Sequence, residues 1–270
     1  MLKLTFTIFL LTSAGYVALC SLMYALQRSM LYFPTPEVHS DEATAFRLVN
    51  DGLSLKVWRT IEKSDKALIY FGGNNEEVSA NIRKYRELFP DHTVYLHNYR
   101  GYGGSEGKPT EEGLFADALA LYDHLAARHG SIDVIGRSLG TGVAVFLASQ
   151  REVQNLALVT PYDSITSVAV DQYPFLPVRR LLKDRFDSLA RATMLTANTL
   201  LLIAENDELI PVELSHKLAE ALNPEHTRVI TISGVDHNSI CESRTYDHEL
   251  YSFFTTSVPV EQVDDRLLFH

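Results

Sequence analysis

Residues 132–144 constrain the fold more than any other stretch of this chain. Ile132-Asp133-Val134-Ile135 has strand length and runs straight into Gly136-Arg137-Ser138-Leu139-Gly140, and Thr141-Gly142-Val143-Ala144 then opens a helix. A serine at a sharp strand-to-helix turn has its hydroxyl pushed out beyond the sheet, and glycines two before and two after let neighbouring backbone approach that turn. The serine and glycine content of the chain makes about 0.05 chance matches to Gly-x-Ser-x-Gly. With a strand before and a helix after, the pattern marks Ser138 as a candidate nucleophile.

The surrounding rhythm supplies a scaffold for such a turn. Apolar runs of strand length occur at 67–71, 94–99, 132–135, 156–160, 199–204 and 228–232. Helical periodicity fills the gaps at 76–88, 110–127, 140–149, 212–222 and 245–254. Upstream, 46–49 and 53–60 flank Asn50-Asp51-Gly52, the signature of a tight hairpin turn. Strands apolar on both faces and alternating with helices imply a mostly parallel sheet covered on both sides. One α/β domain over residues 40–270 is expected, with the rhythm broken at about 163–195 by a helical cap insertion.

A serine hydroxyl needs a base, itself oriented by a carboxylate. Strand-end loops are where parallel α/β sheets assemble sites. Of the ten histidines, His237 alone follows the last expected strand in a short loop before the final helix. His92, His97, His124, His129 and His216 read as core or solvated residues. Asp207, in the turn after 199–204, is the expected acid, with Glu205 as the alternative. The order Ser138, Asp207, His237 is the nucleophile–acid–base order of α/β-hydrolases. An oxyanion hole requires two backbone N–H groups. Leu139, directly after the nucleophile, offers one. Asn74, in Gly72-Gly73-Asn74-Asn75 after an early strand, offers the other, although Asn74 with Glu77 behind it also fits a helix cap.

The N-terminus is of another kind. Residues 4–26 carry no charge, and as a helix they extend roughly 34 Å, enough to cross a hydrocarbon core about 30 Å thick. A cleaved signal peptide would have a shorter apolar region, about 7–15 residues. Residues 1–27 are therefore expected to be a single-pass membrane anchor and 28–39 a juxtamembrane linker, stiffened by Pro34-Thr35-Pro36. A chain beginning near Glu37 is expected to be soluble. Lys3 before the span biases the catalytic domain toward the extracytoplasmic side.

Composition closes off several classes. The 270 residues hold 24 Lys and Arg against 34 Asp and Glu, a net charge of −10, so no cationic surplus exists to bind nucleic acid. Two cysteines make neither a disulfide framework nor a Cys-based zinc site. No metal or cofactor is expected.

Further motifs extend the pattern along most of the chain: residues 27–36 (Gln-Arg-Ser-Met-Leu-Tyr-Phe-Pro-Thr-Pro), Phe71-Gly72-Gly73-Asn74, Arg100-Gly101-Tyr102-Gly103-Gly104-Ser105, and the cap segments 173–178 and 183–188. With these the sequence resembles the Bem46-like family of α/β-hydrolases, whose members commonly carry an N-terminal membrane anchor. Many relatives have His-Gly where this chain has Gly72-Gly73. The resemblance implies an α/β-hydrolase fold with a short cap. It also implies a catalytic Ser138, Asp207 and His237, oxyanion donors at Asn74 and Leu139, and a lipid-like or small acyl ester or thioester as substrate. A peptidase, an acyltransferase or a non-catalytic partner protein on the same fold are the alternatives.

Overall fold

The computed structural model describes residues 2–60 and 64–255, so the expected domain end at 270 lies outside the described residues. The chain begins with a long helix, α1 (Leu2–Leu31). A hairpin follows, β1 (Thr44–Asn50) and β2 (Leu53–Arg59), with Asp51 and Gly52 both at positive φ as a primed turn requires. The alternating portion comprises β3 (Lys66–Phe71), α2 (Ile82–Leu88), β4 (Thr93–His97), α3 (Glu111–Ala126), β5 (Ser131–Arg137), α4 (Leu139–Gln150) and β6 (Asn155–Val159). The cap carries α5 (Ile165–Gln172) and α6 (Val178–Leu181). Then come β7 (Asn198–Ala204), α7 (Val212–Ala221), β8 (Thr227–Ile232) and α8 (Arg244–Thr255).

The eight strands form one sheet in the order β1-β2-β4-β3-β5-β6-β7-β8. Among the described residues only β1–β2 and β2–β4 pair antiparallel; the pairs from β4 through β8 are parallel. Alternation along β3 shows why the central strands read as continuous apolar runs. Ala67, Ile69 and Phe71 enter the core beneath α3, α4 and α7, whereas Leu68 and Tyr70 enter the one beneath α2 and α8. Both sheet faces are dry, so both side-chain rows must be apolar.

Among the boundaries that differ from expectation are three that shape the site and the N-terminus. The expected helix at 76–88 divides into a 3-10 turn, Val78–Asn81, and α2, with the Glu77 carboxylate capping Ser79 N–H. The strand expected over 94–99 ends at His97. The apolar helix runs on to Leu31, past the expected anchor boundary at 27.

The residues after α1 are not a free spacer. Tyr32 is buried in the main core, the Phe33 N–H donates to Asn74 Oδ1, and the Thr35 carbonyl accepts from Gly103 N–H. Arg28 forms a two-pronged ion pair with Asp184 of the cap, at 2.8 and 3.1 Å. Over residues 3–31 the half-buried positions on α1 are Ser13, Cys20, Met23, Gln27 and Leu31, one helical stripe, while the others are exposed.

Candidate active site

Ser138 sits between β5 and α4 with φ 49° and ψ −118°, a left-handed conformation that costs a non-glycine residue about 1–3 kcal/mol. The surroundings over-determine it. Its N–H donates to the Val159 carbonyl, and its own carbonyl accepts from both the N–H and the hydroxyl of Thr141. The flanking glycines are sterically required. A Cβ at position 136 would lie 2.7 Å from the Ala144 methyl group, and one at position 140 would lie 2.7 Å from the Gly72 carbonyl oxygen. The turn thus packs α4 directly against the end of β3.

His237 lies in the loop after β8. The Asp236 carboxylate accepts from the N–H groups of Asn238 and Ser239, which turns the chain sharply at the histidine. Val235 accepts from the Asn206 N–H, joining this loop to the one after β7. His237 is buried, with Nε2 2.9 Å from Ser138 Oγ and Nδ1 2.7 Å from Asp207 Oδ2. The second Asp207 oxygen accepts from the N–H groups of Leu209 and Ile210. An ionised carboxylate only accepts, so Nδ1 must carry the proton, and Nε2 is left to accept from the serine hydroxyl. Glu205, the alternative acid, instead accepts from the Gly234 N–H and braces the histidine loop. Three strand-end loops therefore converge on one point.

The loop after β3 passes over the serine: a Cβ on Gly73 would lie 3.5 Å from Ser138 Cβ. Gly73 N–H donates to Glu76 Oε2 at 2.5 Å. The N–H groups of Asn74 and Leu139 have no hydrogen-bond partner among the described residues. The Asn74 side chain does not cap a helix. Its oxygen accepts from Phe33 N–H and Tyr102 hydroxyl, and its amide donates to the Leu31 carbonyl, pinning the loop to the end of α1.

Sequence reasoning missed two groups. The first is Glu76, which joins Gly73 to Arg137 and also accepts from Tyr70 and Asn81. The second is the inner face of α1. A cavity of about 520 Å³ opens over Ser138 and His237, and Met23, Gln27 and Met30 of the helix line it together with Val168, Leu176 and Leu181 of the cap. The helical stripe was present in the sequence, but nothing local said that the cap would lie against it. Cys241 faces Arg137, Glu76 and Tyr246 rather than the serine, and burial pushes its thiol pKa up. Among the described residues no group of three or more His, Cys, Asp or Glu side chains could hold a metal ion.

No family model matches the chain. An uncharacterized protein of Mycobacterium tuberculosis, Rv2307c, is 34% identical over 231 residues, which span 80% of this chain and 82% of that one. Human protein ABHD12B is 29% identical, covering 78% of this chain and 72% of its own. The lysophosphatidylserine lipase ABHD12 of Danio rerio is 27% identical, over 77% and 68%. Among solved structures, the Pyrococcus furiosus esterase Pf2001 superposes with a TM-score of 0.68 at 19% identity, covering 82% of this chain and 98% of that one. Mouse alpha/beta hydrolase domain-containing protein 10 gives 0.61 at 20% identity, over 78% and 97%. These likenesses bear out the expected fold, a mostly parallel sheet flanked by helices.

Proposed function

The chain belongs to the α/β-hydrolase superfamily, and from that premise we propose that it is a membrane-anchored serine hydrolase of the Bem46-like type, cleaving the ester or thioester of an apolar acyl chain. The observation that carries the reading is the position of His237, within hydrogen-bond distance of both Ser138 and Asp207.

In this mechanism the Ser138 oxygen attacks the acyl carbonyl while His237 Nε2 takes its proton. Asp207 holds the imidazole tautomer and stabilises the imidazolium that forms. The Leu139 and Asn74 N–H groups receive the developing oxyanion, each worth ~2.7–4 kcal/mol of barrier. His237 then gives the proton to the departing alcohol or thiol, leaving an acyl-serine. Water, deprotonated by His237, hydrolyses that intermediate and restores the hydroxyl.

A lipid-like substrate is favoured by the apolar walls of the cavity and by the activity named for the zebrafish relative. Helix α1 is long and apolar enough to cross a membrane, and its outer surface is exposed throughout. The charge of Lys3 favours an extracytoplasmic catalytic domain, which protease protection of sealed vesicles would test.

The direct experiment is fluorophosphonate labelling of the full chain, followed by turnover of an acyl ester series. Wild type is expected to label and Ser138→Ala to lose both label and turnover, by about 10³-fold or more. His237→Ala falls about as far and Asp207→Asn less. Labelling that survives Ser138→Ala, or peptide cleavage without esterase activity, overturns the reading.

A further inference from the structure

The cap and α1 meet along more than a third of the helix. Tyr16 hydroxyl donates to the Phe175 carbonyl at 3.0 Å, and eleven residues further on Gln27 bonds both the Leu181 carbonyl and the Lys183 N–H. At 1.5 Å per residue these two contacts are about 16 Å apart along the helix axis. Residues 4–15, beyond the cap, extend only about 18 Å, too little to cross a core about 30 Å thick. If α1 spans a bilayer, the stretch beside the cap must lie within it, and the cap tip lies there too. Its composition agrees. Phe175 is 63% exposed at the tip, and Asp171 is the only charged residue between Ser164 and Arg179. Cations then crowd at the level of Gln27. Arg179, Arg180, Lys183 and Arg185 are exposed there, and Lys183 Nζ stands 4.0 Å from the Tyr24 ring centroid. That height is where lipid phosphates would sit.

We propose that the acyl chain reaches Ser138 sideways from the bilayer, between α1 and the cap, so that Met23, Gln27 and Met30 are substrate-binding residues as well as parts of an anchor. This rests on the reading of Ser138 as the acylated nucleophile, yet it concerns where the chain binds. The cap tip is immersed in one leaflet, and the cavity mouth lies below its headgroups. The substrate is then a bilayer-resident amphiphile whose ester bond sits near the phosphate level, within reach of the loops that bear Ser138.

The test uses the full-length Ser138→Ala chain in phosphatidylcholine nanodiscs with a non-hydrolysable single-chain ether lipid bearing a diazirine on its chain. Irradiation is expected to place adducts on the inner α1 positions Met23, Gln27 and Met30 and on α5. Met23→Trp, and separately Met30→Trp, should reduce them about tenfold by filling the cavity. With Trp58→Phe as background, Phe175→Trp emission should be quenched by brominated acyl chains and shielded from aqueous iodide. Adducts confined to outward positions such as Leu22 and Leu26, no loss on filling, or iodide quenching at position 175 would overturn the proposal. Because the readout needs no turnover, a wild-type chain that fails to react with fluorophosphonate while adducts persist refutes the catalytic reading alone.

Discussion

Arg137 Nη1 and Glu76 Oε2 form a 3.0 Å ion pair that joins the nucleophile turn to the loop after β3. The same Glu76 oxygen accepts the Gly73 N–H, and both charged side chains are largely buried. One carboxylate thereby sets the distance between the segment that carries Ser138 and the segment that carries Asn74. With the Gly73 N–H occupied, the next donor along is that of Asn74, the one proposed to receive the oxyanion.

Removing Glu76 should consequently damage transition-state stabilisation more than substrate binding. Glu76→Ala leaves Arg137 buried without its partner, and breaking such a pair costs about 3 kcal/mol or more. Turnover of a short ester is expected to fall about 10–100-fold in kcat with KM within about threefold, because a displaced loop misplaces one oxyanion donor. Glu76→Gln, which still accepts from Gly73, should lie between that variant and wild type. Steady-state kinetics beside urea unfolding separates the two effects. An unchanged kcat in a destabilised Glu76→Ala would show that the loop does not depend on this carboxylate.

Gly140→Ala is expected to fail at the level of folding. Its methyl group would lie against the carbonyl oxygens of Phe71, the last residue of central strand β3, and Gly72, just beyond it, backbone atoms that cannot turn aside. The expected loss is above about 4 kcal/mol, in the range reserved for core overpacking and backbone clashes. Gly15→Ala, where nothing lies within 4 Å, should leave the melting temperature unmoved. A Gly140→Ala protein that unfolds at the wild-type urea concentration would mean that α4 can shift away from β3.

The contrast between these residues shows what could be read in advance. Gly136, Ser138 and Gly140 act through a turn that is local in sequence, so spacing alone located the strained strand-to-helix turn. That Asp207 and His237 would lie beside Ser138 was legible because parallel topology forces strand-end loops together, whatever the details of packing. Glu76 was not legible, since its partners Arg137 and Gly73 are brought to it by the pairing of β3 with β5. The inner face of α1 was hidden for a related reason. Hydropathy reports that a helix avoids water, and it does not report whether lipid or the cap covers a given stripe.

A second buried group gives the stability a pH dependence. His97 is fully buried between the rings of Phe71 and Tyr99, and neither ring nitrogen has a partner among the described residues. Burial lowers its pKa to about 4, with Asp117 opposing and Arg100 adding to the shift. In the unfolded chain the imidazole titrates near 6.5. Between those values the unfolded state binds the extra proton, so this contribution is intact above about pH 6.5 and is lost as pH falls toward 4. The full effect is on the order of 3 kcal/mol. His97→Phe, similar in shape and unable to titrate, should flatten the decline in urea midpoint between pH 7 and pH 4.5. An equal decline in wild type and variant would place the acid sensitivity elsewhere.

Where the soluble domain begins can be tested by truncation. A chain starting at Glu37 lacks Tyr32, which is 3% exposed, the Arg28–Asp184 ion pair, and the Thr35 carbonyl that receives Gly103 N–H. It also lacks the Leu31 carbonyl and Phe33 N–H that hold the Asn74 side chain. Burying an aromatic side chain of this size is worth about 2 kcal/mol, and the lost polar contacts add about 1 kcal/mol each. Relative to a chain starting at Gln27, the shorter one is expected to melt about 10 °C lower or more. Its esterase activity should drop further than its stability, because the loop bearing the Asn74 N–H loses its tie to α1. Equal melting temperatures and equal kcat for the two starts would show that residues 27–36 are a spacer after all.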